Sequence, residues 1–347
     1  MRAPLIKNDN LQKLIWPLMA LGIILLFNML FTPGFFHMEI KDGHLFGSLV
    51  DIVNRGAPVM LLSIGMTLVF ATGGIDLSVG AVMAISGALA ATIIRPDYVK
   101  GVLAYGELRS LFIVVSIPLI LSVAAGLWNG ILVAFVGIQP IIATLILMVA
   151  GRGIAQLITQ GQIVVFVHGP FQTIGSGFFL GLPFPISIVI FVAAATYLIT
   201  RKTAMGLFIE AVGANPVASR YMGVKERMIK VAVYMFSGLC AGIAGLITCA
   251  DIRAADANNA GLFLELDAIA AVIIGGTMWG GRFTLAGSII GTLIIQGLTT
   301  TILTIGIAPE ITLVFKAVVI IGVALIQSEV VRKTLIHRLA GWKVRRA

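Results

Sequence analysis

The sequence predicts an all-α, polytopic membrane protein in which residues 1–347 form a single transmembrane bundle. Hydrophobic residues make up 59% of the chain and charged residues 11%, and the mean hydropathy is +1.06. Soluble domains usually carry about 25% charged residues, so this chain has more apolar surface than a water-soluble core could hide. Long apolar runs also recur along the chain. Lipid is therefore the expected solvent.

Ten apolar runs are predicted to span the membrane, because a spanning helix needs about 20 apolar residues. The first run is too long for the core of a signal peptide and lacks a small-residue cleavage site, so it is predicted to remain as an anchor. Six runs precede a basic stretch at residues 201–230 and four follow it. The predicted spans are residues 14–32, 56–72, 78–94, 111–136, 140–159, 183–200, 231–250, 266–278, 285–305 and 311–327.

The distribution of basic residues predicts the orientation of the chain. With the N-terminus in the cytoplasm, sixteen Lys and Arg residues fall inside and six outside, and Arg152 and Lys316 fall within spans. This bias places residues 1–13, 201–230 and 328–347 in the cytoplasm. The net charge of +9 does not indicate nucleic-acid binding, because the basic clusters adjoin apolar runs and no soluble fold carries a basic face.

A glycine-containing break separates the second and third predicted spans at residues 72–80. The Gly73–Gly74 pair interrupts the helix, and Asp76 or Ser78 is a candidate cap for the next one. Two alternatives stay open. The segment is either a cytoplasmic turn with a helix cap or a break beside the translocation path, where irregular backbone must be buried in protein or line water.

Polar residues within or just before the spans are candidates for the translocation path, namely Asp76, Ser78, Asn129, Gln139, Thr144, Arg152 and Gln156. Of these, Asn129 and Gln156 are amides that can hydrogen-bond hydroxyl groups without adding charge. Arg152 is an intramembrane cation and therefore a functional candidate by default, the alternative being a structural pair or a side chain that reaches the interface. A path with few fixed charges suits a neutral, hydroxyl-rich solute.

The basic stretch at 201–230 contains the clearest local signal. Asn215 is a good N-cap, Pro216 suits the first helical turn, and Gly223 suits the position after the last turn. These residues predict a helix of about seven residues, about 10 Å long, shaped to fit a groove on a partner. The alternative is an interfacial helix held by anionic lipid.

Three motifs in order resemble the permeases of ribose/galactose-class ABC importers. Residues 210–215 followed by Gly223 resemble the cytoplasmic coupling loop of that family, and residues 73–80 and 265–276 with Gly280–Gly281 resemble two further signatures. Residues 126–130 and 255–261 are most similar to the galactofuranose-type permeases of this class. The bulky residues 277–279 depart from the small-residue link expected there.

The resemblance implies a multi-pass permease of the bacterial inner membrane that imports a monosaccharide, of the galactofuranose type by the finer likeness. It implies a second permease subunit, identical or related, two ATPase subunits and a periplasmic sugar-binding protein as partners. ATP and magnesium would be bound by the ATPase, and no cofactor or metal by this chain. The residues implied in coupling to the ATPase are Glu210, Ala211, Gly213, Asn215, Pro216, Arg220 and Gly223.

Two other classes of function remain as alternatives. An ion-coupled secondary sugar transporter would need buried carboxylates as proton or sodium sites, and few carboxylates fall within the predicted spans. An intramembrane enzyme is disfavoured because no Gly-x-Ser-x-Gly, His-Glu-x-x-His or paired-aspartate constellation is present. The chain also lacks the phosphate-binding pattern Gly-x4-Gly-Lys-[Ser/Thr]. It is predicted not to be an enzyme.

Overall fold

The structure, a computed structural model, describes residues 9–41, 43–95, 110–306, 311, 313–318, 321 and 322. Most of the predicted N-terminal segment 1–13 and the whole predicted tail 328–347 lie outside the described residues. The tenth predicted span, 311–327, lies within them only in part.

The described chain is overwhelmingly helical, as predicted. A π-helical turn (Leu132–Val136) extends the fourth helix. In chain order, the helices are α1 (Asp9–Phe31), α2 (Ser48–Ala71), α3 (Val79–Ile94), α4 (Leu111–Ile131), α5 (Pro140–Ile158), α6 (Gly169–Ser176), α7 (Phe184–Lys202), α8 (Met205–Ala214), α9 (Pro216–Tyr221), α10 (Glu226–Ile252), α11 (Leu264–Ile274) and α12 (Leu285–Thr304).

Three antiparallel strand pairs occur between the described helices, each of two or three residues per strand. They are β1 (Glu39–Lys41) with β2 (His44–Phe46), β3 (Val164–Val165) with β6 (Ala254–Ala255), and β4 (Phe178–Phe179) with β5 (Leu182–Pro183). Each pair joins segments that lie between helices, and the pairs form no larger sheet within the described residues. The all-α class is confirmed.

Seven of the described helices are long and apolar enough to cross a membrane, namely α1, α2, α4 with its π-turn, α5, α7, α10 and α12. The third predicted span is α3, with 16 residues. The eighth predicted span is the 11-residue α11, about 16 Å long, against a hydrocarbon core of about 30 Å. The multi-pass architecture is confirmed, but the count of ten spans is not.

Helix α2 lies at the centre of the bundle. In its most apolar window 78% of the residues are buried, against 11% for α1 at the periphery. A helix that is apolar on all sides is expected to be surrounded by other elements, and α2 packs against α7, α10, α11 and α12. The helix begins at Ser48 rather than at residue 56, because its first two turns are polar and escape a hydropathy criterion.

Helices α4 and α10 pack closely through small residues. A Cβ atom added at Gly238 of α10 would lie 3.1 Å from the Cα atom of Gly126 on α4, and one added at Gly130 would lie 2.9 Å from the Cα atom of Val231. In lipid, small residues let helix backbones approach where no hydrophobic force joins them. Gly238 and Gly242, four residues apart on α10, both face α4 at this contact.

Candidate functional site

The break between α2 and α3 turns back into the bundle and is held there by a buried polar cluster. The carboxylate of Asp76, only 1% exposed, accepts hydrogen bonds from the Ser78 backbone N–H at 3.1 Å and the Ser78 hydroxyl at 2.6 Å. The Ser237 hydroxyl of α10 donates to the other oxygen at 2.8 Å. The Asn129 amide of α4 donates to the Ser78 hydroxyl at 2.8 Å. We call Asp76, Ser78, Asn129 and Ser237 the buried cluster.

The irregular backbone of the break is satisfied by protein. The Tyr234 hydroxyl donates to the Ile75 carbonyl at 3.2 Å, and Thr144 of α5 lies 3.5 Å from the same carbonyl oxygen. Ser78 occupies the N-cap position of α3, but its hydroxyl bonds to Asp76 and Asn129 and makes no cap bond to the helix backbone. Burial in protein is one of the two conditions under which such backbone is tolerated at membrane depth.

The polar residues of α5 do not converge on one point. Thr144 is buried and also donates to the Pro140 carbonyl one turn earlier at 2.9 Å, whereas Gln139, just before the helix, is exposed. Arg152 donates to the carbonyls of Ala257 and Ala260, at 3.1 Å and 2.5 Å. The partners of this intramembrane cation are thus backbone carbonyls of the loop at residues 254–263.

That loop is fixed by further polar contacts. Gln156 donates to the Asn258 side chain at 2.8 Å. Asp256 accepts bonds from the backbone N–H groups of Asn258 and Asn259, at 3.0 Å and 3.2 Å, and from the Asn259 amide at 2.8 Å. Burial disfavours the ionised Asp256 carboxylate, but these bonds outweigh burial and hold its pKa below the usual value. Hydrogen bonds therefore hold this loop at several points.

A cavity of about 470 Å³ lies beside this loop. It is enclosed by the start of α2, the ends of α10 and α12, and the loop at residues 254–263. Its polar lining residues are Asn54, Arg55, Thr248, Asp251, Asp256, Asn259, Asp267, Gln296, Thr299 and Lys316. We call it the polar cavity. The seven path residues predicted from the sequence are all described by the structure, and none of them lines it.

An ion pair forms part of the cavity wall. The Lys316 ammonium lies 2.8 Å from the Asp267 carboxylate of α11, and both side chains are about one-sixth exposed. Lys316 lies in the tenth predicted span, 311–327, and Asp267 lies at the start of the eighth, 266–278. A charge of opposite sign in each of these two apolar runs is the signal that the sequence offers for this wall.

The short helix predicted in the basic stretch is present as α9. The Asn215 side chain accepts a hydrogen bond from the Ala218 N–H at 2.9 Å, Pro216 is the first helical residue, and Gly223 has φ +83° just beyond the end. The helix has six residues where about seven were predicted. Its local structure is confirmed, and its role in coupling stays a prediction.

The preceding helix, α8, packs tightly on the end of α2. A Cβ atom at Gly213 would overlap the Ala71 carbonyl oxygen and would lie 2.8 Å from the Gly281 nitrogen. The Gly280 and Gly281 N–H groups donate to the Phe70 and Ala71 carbonyls, at 3.0 Å and 2.9 Å. The end of α2, the end of α8 and this glycine turn therefore meet backbone to backbone.

The bulky residues at 277–279 do not disturb that junction. Trp279 projects edge-on against Phe70, with ring centroids 4.8 Å apart. Gly280 and Gly281, which follow Trp279, make the close backbone contacts with the ends of α2 and α8. The departure from the family pattern thus adds an aromatic contact beside the junction.

Two ion pairs connect the α8–α9 pair to neighbouring helices. Arg201 contacts the Glu210 carboxylate of α8 at 3.3 Å and donates to the Phe283 carbonyl, just before α12, at 2.7 Å. Arg220 of α9 donates from Nε to the Glu226 carboxylate at the start of α10 at 2.8 Å. The α8–α9 pair is thereby linked to α10, α12 and, through Gly213, α2.

Comparison with known proteins decides the class of this bundle. Residues 48–324 match the family described as the branched-chain amino acid transport system / permease component. The chain belongs to this family. It is therefore a multi-pass membrane permease, the transport component of its system.

Individual relatives extend over nearly the whole chain. It is 54% identical to the galactofuranose transporter permease protein YtfT of Escherichia coli (strain K12), covering 90% of this chain and 91% of the relative. It is 39% identical to the fructose import permease protein FruF of Bifidobacterium longum (strain NCC 2705), covering 92% and 90%. It is 34% identical to the ribose import permease protein RbsC of Escherichia coli (strain K12), covering 90% and 92%. No solved structure matches the chain.

These relatives confirm the resemblance to sugar importer permeases that the sequence motifs indicated. The family description refers to amino acids, whereas these relatives are named for three different sugars. They give no support to an ion-coupled secondary transporter.

Proposed function

We propose that this chain is the permease subunit of an ATP-driven importer that carries a monosaccharide of the galactofuranose type across the bacterial inner membrane. The observation that carries the proposal is the 54% identity, over 90% of the chain, to a galactofuranose transporter permease. The fructose and ribose relatives are less similar and support the broader class of substrate.

The importer would contain a second permease subunit, two ATPase subunits that bind ATP and magnesium, and a periplasmic sugar-binding protein. In this arrangement both termini and residues 201–230 lie in the cytoplasm, and the α8–α9 pair contacts the ATPase. Large apolar side chains on this pair support a protein contact, because Leu207, Tyr221 and Met222 are 69%, 87% and 84% exposed. Exposed apolar clusters rimmed by charge are typical of protein interaction sites.

The proposed coupling residues divide into two structural groups. Glu210, Ala211 and Gly213 belong to α8, which packs on the end of α2. Asn215, Pro216, Arg220 and Gly223 form the cap, body and end of α9. Movement of the α8–α9 pair would therefore be transmitted to α2, α10 and α12 through Gly213 and the Arg220 and Arg201 contacts.

The proposed path residues also divide into groups. Asp76, Ser78, Asn129 and Thr144 surround the break between α2 and α3, where they would form the closed barrier of the permease. Arg152 and Gln156 support the loop at residues 254–263 beside the polar cavity. Gln139 lies apart from both groups, at the exposed start of α5.

Sugar uptake by cells tests the proposal. A strain lacking this gene should lose uptake of a labelled monosaccharide, tested with galactose, fructose and ribose, and the wild-type chain should restore it. Uptake should stop when ATP is depleted with the ion gradients maintained, and continue when the gradients are collapsed with ATP maintained. The opposite dependence, uptake driven by protons or sodium without ATP, would refute the proposal.

A matched pair of variants tests the coupling role of α9. Ser219→Pro removes the bond from the Ser219 N–H to the Asn215 carbonyl, which is 3.0 Å long, and proline inside a helix costs about 3 kcal/mol or more. Uptake should be lost while the protein stays in the membrane. Ser219→Ala keeps the backbone bond and should transport normally. Undiminished uptake by Ser219→Pro contradicts the coupling role.

A further inference from the structure

We propose that the polar cavity is the site at which the permease receives its monosaccharide on the periplasmic side, with sugar hydroxyls bonded to the carboxylates and amides that line it. This inference rests on the proposed function, and names the place in the chain where the solute is first held. It assigns the site to residues outside the set that the sequence indicated.

The position of the cavity follows from three helices that run through the bundle. Asn54 lies near the start of α2, whereas Ala71 at its end contacts α8, so about 17 residues or roughly 26 Å separate the two levels. Asp251 lies near the end of α10, whose first residue, Glu226, binds Arg220. The cavity and the α8–α9 pair therefore lie at opposite ends of the same helices. With the α8–α9 pair in the cytoplasm, the cavity faces the periplasm.

The same relation holds for α12. Thr299, near its end, lines the cavity, and the segment before its start is bonded to Arg201 through the Phe283 carbonyl. Three helices thus carry cavity residues toward one end and are linked to the α8–α9 pair at the other, α12 through Arg201 of α7, which contacts Glu210.

The size and lining of the cavity suit a small neutral polyol. Its volume of about 470 Å³ falls in the range of about 300–1,000 Å³ typical of small-molecule sites. Carboxylate oxygens accept bonds from sugar hydroxyls, and amides both donate and accept. Apolar side chains, including Pro58, Met83 and Ile247, line the remaining wall and offer a surface for the C–H face of a sugar ring.

The charges of the lining nearly balance. The carboxylates of Asp251, Asp256 and Asp267 face the cations of Arg55 and Lys316. Because Asp267 and Lys316 already form an ion pair, little net field remains to attract a charged solute. This balance favours a solute without net charge over an ion.

Unused hydrogen-bonding groups lie in the lining. Asn54 lines the cavity, and its amide oxygen is buried without a hydrogen-bond partner among the described residues. The Asp251 carboxylate also lines the cavity, is exposed, and has the cations of Arg55 and Arg253 nearby. Nearly all buried polar groups in proteins have a partner, so the buried Asn54 oxygen indicates a cavity that receives a hydrogen-bonding ligand.

Cysteine labelling in membranes that contain the intact transporter tests the site. The two native cysteines, Cys240 and Cys249, are buried, so the wild-type chain serves as the blank. A membrane-impermeant, charged thiol reagent added from outside should label Thr299→Cys. It should not label Ile190→Cys, an apolar position of α7 that is 57% exposed on the outside of the bundle and is expected to face lipid.

Protection of the introduced cysteine by sugar shows whether the sugar occupies the cavity. Galactose, fructose and ribose are added in turn during labelling. At a sugar concentration of about four times the Kd, about one fifth of the sites are free, so labelling of Thr299→Cys should slow about fivefold. In uptake assays Gln296→Leu should raise the KM about 2- to 12-fold, the effect of one lost hydrogen bond. Ile190→Cys should take up sugar like the wild type.

Each outcome bears on the proposal. Absence of labelling from outside, or labelling that none of the three sugars slows, overturns the assignment of the cavity. If the wild type still shows ATP-dependent uptake of a monosaccharide, only the site is wrong and the proposed function stands. If the wild type takes up no monosaccharide, both are wrong.

Discussion

Substitution of Gly213 by alanine perturbs the junction at which α8 meets α2. The added Cβ atom would lie 2.8 Å from the Gly281 nitrogen, 2.9 Å from the Gly280 carbonyl carbon, and in overlap with the Ala71 carbonyl oxygen. Ordinary van der Waals contact begins at 3.4 Å, so 3.4 − 2.8 = 0.6 Å is the smallest displacement that relieves the Gly281 contact alone. All three neighbours are backbone atoms and cannot rotate away.

The energetic consequence combines two opposing effects. Overpacking costs about 1–3 kcal/mol, and the upper end applies because the neighbours are backbone. Replacing glycine by alanine in a helix returns about 1 kcal/mol. The net loss is about 2 kcal/mol, which corresponds to a shift of about 30-fold in the equilibrium between docked and undocked α8. We expect the ratio of sugar transported to ATP hydrolysed to fall while the chain remains in the membrane.

The assay compares uptake with ATP hydrolysis in proteoliposomes that contain the complete transporter. Gly281→Ala is the matched control, because it makes the same chemical change two residues from Trp279 and its Cβ atom meets nothing within 4 Å. Gly281→Ala should behave like the wild type. Equal coupling ratios in the two variants would show that tight packing of α8 on α2 is not needed for transport.

Three further predictions concern single polar contacts. Asn215→Ala removes the cap of α9, worth about 1 kcal/mol, and should lower ATP-coupled uptake, whereas Asn215→Asp keeps an acceptor and should preserve it. Arg152→Met leaves the two loop carbonyls that it binds without their donor, at a cost of about 1–3 kcal/mol, so the purified protein should unfold at a lower temperature; an unchanged Tm would mean that Arg152 does not support the loop. Lys316→Met leaves Asp267 as an uncompensated, largely buried charge and should lower the free energy of unfolding by about 3–5 kcal/mol, measured by thermal denaturation. The double variant Lys316→Met/Asp267→Leu should recover most of this loss. No recovery would argue against the ion pair.

Local features of the structure were predictable from the sequence because they depend on neighbouring residues. The cap, first turn and end of α9 require only Asn215, Pro216 and Gly223 within nine positions of one another. Hydropathy likewise identified most of the long helices. It failed at the start of α2, where Asp51, Asn54 and Arg55 make the first two turns polar. Hydropathy reports burial in lipid, and α2 is buried in protein.

The polar cavity was not predictable in the same way. Its lining residues come mainly from α2, α10, α12 and the loop at residues 254–263, which lie far apart in the sequence. Most of its polar residues sit near a helix end or in that loop, where polar residues are common and give no signal. Arg152 drew attention as an intramembrane cation, yet its bonds go to loop carbonyls. A rare residue type within a span indicates that a partner exists, and the tertiary fold decides whether that partner is solute or protein.

The bond between Asp76 and Ser237 has a consequence for how the chain is made. The two residues are 161 positions apart, so at roughly 5–20 residues per second the ribosome delivers the serine about 8–32 s after the aspartate. Ser78 bonds one oxygen of the Asp76 carboxylate from the start, but the other oxygen stays without its donor until α10 emerges. An ionisable side chain with an unsatisfied oxygen is expensive in hydrocarbon. We therefore expect the early hairpin to leave the translocon fully only together with a late helix.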